Sequence, residues 1–176
     1  MDIKKPRRII ATQPERMIVI GIYEDPEKGI LIARKEDGTM QLPGGKIWRA
    51  TRPTQTEKQL TAEYSKITRI VFEKCGLALE VEDVMGLFNI ENPITQKSKL
   101  YKVFILKQTS TPIDKGWKRI AEFDGEFMPA DIGQILKYYS NLAVSDQHIL
   151  IEYFNEYIQK AATDTESEHL RLVKTL

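Results

Sequence analysis

The most constraining feature of this chain is one long amphipathic stretch held between glycine stops. Residues 54–75 carry helix formers from an N-cap candidate, Thr54 or Thr56, up to Gly76. Within it Leu60, Tyr64, Ile67, Val71 and Cys75 recur every three or four positions, which is one apolar helical face. Such a helix must bury its stripe against another layer, and strand-like material lies on both sides of it. MIVIGIY (17–23) and ILIAR (30–34) read as two strands of a hairpin across the turn residues EDPEKG (24–29). TMQLPGGK (39–46) reads as a short extended stretch, in which Pro43, Gly44 and Gly45 break any regular element. After the helix, LALEV (77–81), DVMGLFNI (83–90) and LYKVFILK (100–107) have strand composition, with ENPITQKS (91–98) as a connecting turn. A longer loop spans 108–122, and EFMPADIGQILKYY (126–139) reads as a short strand, a Pro-led turn and a helix. Ser145 then caps a final amphipathic helix whose buried face is Ile149, Leu150, Tyr153, Phe154, Tyr157 and Ile158.

The order strands, helix, strands, helix predicts an α/β (α+β) domain: a mixed central sheet with helices on both faces. It is not the regular alternation of a doubly wound nucleotide-binding fold. Residues 17–160 form the expected domain, 1–16 a basic N-terminal arm and 161–176 a polar C-terminal tail.

Composition narrows the function classes. Twenty-six basic and 25 acidic side chains leave a net charge of +1, which gives no field for a dedicated nucleic-acid binder. The single cysteine, Cys75, excludes a disulfide scaffold and fits a reducing compartment. No apolar run is long enough to cross a bilayer, and the N-terminus has no apolar core of a secretory signal, so a cytoplasmic location without a membrane partner is expected. There is no glycine-rich dinucleotide fingerprint, no P-loop, no paired-cysteine zinc spacing and no HExxH. His148 and His169 stand apart from any nucleophile or ligand cluster and read as packing or surface residues.

Function is legible only between Gly45 and Leu77. Arg69 and Glu73 are four apart, share a helical face and can pair; taken alone they read as a surface ion pair. Their surroundings are more specific. Leu42-Pro43-Gly44-Gly45-Lys46 at the front, and Arg69-Ile70-Val71-Phe72-Glu73-Lys74-Cys75-Gly76-Leu77 at the back, resemble the two ends of the Nudix box. The hairpin, the strand 100–107 and the segment EFMPADIGQIL sit where that superfamily places its other elements, so the resemblance covers 17–160. It implies a Nudix-like α/β/α sandwich and hydrolysis of a diphosphate linked to a nucleoside or similar group. Magnesium or manganese would then be held by carboxylates, and a homodimer is one expected assembly.

The departures from the box are chemical. Gly45 to Leu77 spans 33 residues where the box spans 23, so ten are inserted, with much of the excess in the loop 46–55. The isolated box glutamate falls on Thr61, and of the three acids around the arginine only Glu73 survives, the others being Ile70 and Lys74. Replacing an acid by a base beside a divalent ion is costly: a unit charge pair at ~4 Å is worth roughly 4 kcal/mol at an effective dielectric of about 20. By analogy with relatives, Glu122 and Glu126 are the acids best placed to stand in as metal ligands with Glu73, and Glu91 is a weaker candidate. Glu63 lies about two turns before Ile70, too far along the axis to serve the same ion.

The expected catalytic set is therefore Glu73, Arg69 and Glu122. Phosphate would be met by Gly44, Gly45, Lys46 and Lys74, with Arg49, Arg52 and Trp48 adding reach and a stacking surface. Three readings follow. The first is a binder of a nucleotide or other diphosphate with hydrolysis weak or lost and no cofactor required. The second is an active magnesium- or manganese-dependent hydrolase with displaced ligands. The third is an RNA or protein interaction module served by the basic arm, Arg7 and Arg8, and the inserted arginines.

Overall fold

A computed structural model of the chain describes residues 14–50, 57–110, 115–130 and 132–156. The candidate caps Thr54 and Thr56, the side chains of Arg49 and Arg52, the basic arm, Tyr157, Ile158, His169 and the tail lie outside the described residues.

Two four-stranded sheets carry the fold. In the first, β1 (Pro14–Ile22) is flanked by β5 (Gly44–Ala50), antiparallel, and by β7 (Ser98–Gln108), parallel, and β6 (Leu79–Glu91) closes the far edge antiparallel to β7. This is the expected mixed sheet. In the second, β3 (Gly29–Lys35) pairs antiparallel with β2 (Glu24–Asp25), β4 (Met40–Gln41) and β8 (Phe123–Met128). Helix α1 (Glu57–Cys75) packs on one face, and α2 (Ile132–Lys137), a 3-10 turn at Tyr139–Asn141 and the helical stretch 144–156 (α3) lie on the other.

Period-two alternation in the strands builds a core on each side of this layer. Met17, Val19, Leu31, Ala33, Phe104 and Leu106 meet Ile67, Ile70, Val71 and Cys75 of α1. Ile20, Ile22, Ile30, Ile32, Tyr101 and Val103 meet Ile149, Leu150 and Tyr153 of α3. Each fully buried aliphatic side chain contributes about 1.5–3 kcal/mol, so the helices are fixed by burial rather than by intrinsic propensity.

Several expectations are corrected. The expected hairpin is present but shorter: Glu24 and Asp25 pair with Ile30 and Gly29, and the Leu31 N–H donates to the Tyr23 carbonyl at 2.9 Å, while Met17–Ile22 pair within the first sheet. Gly44 and Gly45 do not break regular structure; they open β5, opposite Ile20 and Val19 of β1. A side chain at Gly44 would come within 2.5 Å of the Val19 carbonyl, so the close approach of β1 requires a glycine there. The segments 77–81 and 83–90 are one strand, β6, interrupted by irregularities between Val81 and Asp83 and between Val84 and Gly86. Ser145 is not the cap of α3: the Gln147 N–H donates to the Ala143 carbonyl, so the helix begins before Ser145.

Candidate functional site

The C-terminal turn of α1 is the structural centre of the site. Gly76 takes φ +71°, a left-handed conformation that ends the helix, and its N–H donates to the Phe72 carbonyl at 2.8 Å. The loop that follows β7 caps this end: the Ile120 N–H donates to the Glu73 carbonyl at 2.7 Å, and the Trp117 ring lies 6.1 Å from that of Phe72. On the last turns, Arg69 Nε donates to Glu73 Oε1 at 2.7 Å, the pairing that their spacing predicts. Ile70, one of the two positions where the resemblance expects an acid, is buried in the core; a Cβ on Gly45 would meet its Cδ1 at 2.7 Å. The position serves packing.

Lys74 stands at the other position where the resemblance expects an acid. Its Nζ donates to the Gly44 carbonyl at 2.8 Å and lies 4.4 Å from the Phe123 ring centroid, a cation–π contact. Lys35 approaches the same ring at 5.7 Å. Burial pushes the Lys74 ammonium below its ordinary pKa and the Lys35 charge adds to this, while Cys75, Asp146 and Glu122 act the other way. An ammonium has three donors. Among the described residues Gly44 accepts one of them, which leaves two for a ligand.

These groups line an open cavity of about 400 Å³, together with Lys35, Gly45, Lys46 and Asp146. That volume lies in the range of small-molecule sites. Asp146 is a site residue that the sequence did not flag. It is buried in the first turns of α3, and its Oδ2 accepts the Leu42 N–H at 3.1 Å. Burial pushes its pKa up to about 7, against the opposing pull of the Leu42 N–H and of Lys74. In sequence it is only an acid near a helix start, which the helix dipole explains without a site. The tertiary pairing with Leu42 has no local signal.

The acids expected to act together are separated. Glu122 is exposed in the capping loop and reaches Lys74 through its field. Glu126 pairs with Arg34 at 3.0 Å across β8 and β3. Alternation along β8 turns Phe123, Gly125 and Phe127 towards α1, with Gly125 directly over Cys75, and so turns Glu126 to the opposite face from Glu73. Glu63 is wholly buried and pairs with Lys102 of β7 at 2.6 Å. Glu91 and His148 are exposed. Among the described residues no group of three His, Cys, Asp or Glu side chains could hold a metal ion. The donor set at the end of α1 does not fit a divalent cation either: its one carboxylate, Glu73, is engaged by a guanidinium, and an ammonium occupies the neighbouring carbonyl. Among the described residues, no helix is long and apolar enough to cross a membrane.

No family profile matches the sequence, and no curated protein does. Solved structures do match. A NUDIX hydrolase from Nitrosomonas europaea aligns with a TM-score of 0.58 at 14% identity, over 81% of this chain and 90% of that one. The MutT protein from Methanosarcina mazei Go1 aligns at 0.51 and 18% identity, over 83% and 97%. The NUDIX domain of Shewanella oneidensis NrtR, solved with ADP ribose, aligns at 0.51 and 13% identity, over 88% and 94%. At these identities the shared property is the architecture: this chain has the Nudix fold.

Proposed function

We propose that this Nudix-fold chain binds a diphosphate-linked nucleotide by direct contact between ammonium groups and phosphate, without a bridging divalent cation and with hydrolysis weak or lost. The observation that carries this reading is Lys74, whose ammonium sits on the Gly44 carbonyl and opens into the cavity. A positively charged group thus already stands between the helix end and the glycine strand. Lys35 and Lys46 enter the same cavity. Lysine meets phosphate as a point charge, and each pair at ~4 Å is worth roughly 4 kcal/mol at an effective dielectric of about 20. Glu73 plays a positioning part, since it holds Arg69 and its carbonyl anchors the capping loop. Binding of ADP ribose by the NrtR domain is consistent with this class of ligand on this fold.

The reading is tested by thermal unfolding of the full chain with ADP-ribose in the presence of a chelator. Stabilisation is expected to persist with the chelator and to vanish in Lys74→Glu. Stabilisation that appears only when magnesium or manganese is added, or metal-dependent release of monophosphate products that Glu73→Gln abolishes, would overturn it in favour of a hydrolase with displaced ligands.

A further inference from the structure

Resting on that reading, we infer that a second anion subsite, formed by Arg16, Lys46 and Lys99, adjoins this cavity, and that the preferred ligand is a diphosphate-linked nucleotide carrying an additional phosphate on its sugar. Register fixes the geometry. Ile18 pairs with Lys46 and with Tyr101, and Arg16 pairs with Trp48. Side chains alternate along each strand, so Arg16, Ile18, Lys46, Trp48, Lys99 and Tyr101 share one face of the sheet, the face opposite α1. The first turn of α3 walls one part of this face through Ser145 and Asp146. Beyond that wall lies a groove of about 440 Å³, lined by Arg16, Lys46 and Lys99 with the neutral donors Asn89 and Ser98.

Two features distinguish this groove from an ordinary solvated surface. Among the described residues its lining holds three cations and no carboxylate, and none of the three is in an ion pair. Like charges gathered in one concavity repel, and a bound dianion relieves that repulsion. The groove also adjoins the first cavity, since Ile18 and Lys46 line both. Along β5 the step from Gly44 to Trp48 is about 13 Å at ~3.3 Å per residue, a reach suited to one nucleotide rather than to a polymer. Trp48 stands at the far end, 65% exposed and in register with Arg16, offering a flat apolar surface to a base. The overall charge of +1 favours a small ligand over a nucleic-acid strand.

The test is calorimetric titration of the full chain, with chelator, using two matched pairs: ADP-ribose against its 2′-phosphate, and dephospho-coenzyme A against coenzyme A. The phosphorylated member of at least one pair is expected to bind about tenfold tighter. That preference should collapse in Arg16→Gln/Lys99→Gln, with the affinity for the unphosphorylated member little changed and the melting temperature preserved. Equal affinity within both pairs, or a preference that survives the double substitution, overturns the second subsite while leaving the first reading standing. Failure of all four ligands to bind overturns both. Tight binding of a single-stranded RNA oligonucleotide that these ligands do not displace overturns the commitment to a small molecule.

Discussion

Lys102 in β7 and Lys74 at the end of α1 are both ammonium groups withdrawn from bulk water, but they are closed off differently. Lys102 meets the Glu63 carboxylate at 2.6 Å, with both side chains almost fully buried. Among the described residues Lys74 meets a neutral carbonyl and a ring face, and it lines a cavity. In the first case the charge is neutralised inside the fold and serves structure. In the second, positive charge is left over on the wall of a ligand-sized cavity. A lysine thus reads as a binding group by what it lacks beside it, not by burial alone.

The largest effect should come from breaking the closed pair. Glu63→Ala takes the carboxylate away from a buried ammonium and is expected to lower stability by about 3–5 kcal/mol, measured by urea unfolding. A loss under about 1 kcal/mol would mean that this pair is as open as Lys74. The next effect is pH-dependent and belongs to the open site. Asp146 binds its proton more tightly in the folded protein than in the unfolded chain, since burial lifts its pKa from 3.8 to about 7. The stability it contributes is therefore complete below the ordinary carboxylate range and is lost as pH rises towards about 7, by roughly 4 kcal/mol at most. Asp146→Asn should gain on the parent protein, in melting temperature, between about pH 5 and about pH 8; a constant difference would show that Asp146 does not titrate there. A smaller effect sharpens the contrast directly. Lys74→Met should change stability by less than about 1 kcal/mol, because a partly buried charge is exchanged for an apolar chain of similar length, yet it should remove nucleotide-dependent stabilisation. The smallest concerns Cys75, whose thiol burial pushes up to about 11. Its alkylation near neutral pH should be slow in the native protein and rapid in urea, and fast native labelling would show that the end of α1 opens.

Much of the architecture was legible because it is written in local periodicity. The spacing of Ile67, Val71 and Cys75 announces α1, and the run LYKVFILK announces β7. Other parts were not legible because long-range pairing decides them. Gly44 and Gly45 look like breakers in any window of sequence and become strand only because β1 lies beside them. The split of residues 14–35 between two sheets has no local mark, nor does the fusion of two short runs into the irregular strand β6. Of the site, the Arg69–Glu73 pair follows from helical spacing. The burial of Glu63 against Lys102, and of Asp146 against Leu42, depends on residues 39 and 104 positions apart, which no reading of spacing could bring together.

The seam between Ile70 and Gly45 closes position 70 to acid chemistry. A carboxylate placed there would find no water and no room, and desolvating it without a partner costs several kcal/mol. An acid there would need strand and helix to part, so any single substitution that keeps this seam keeps the lysine-lined cavity free of a carboxylate from position 70.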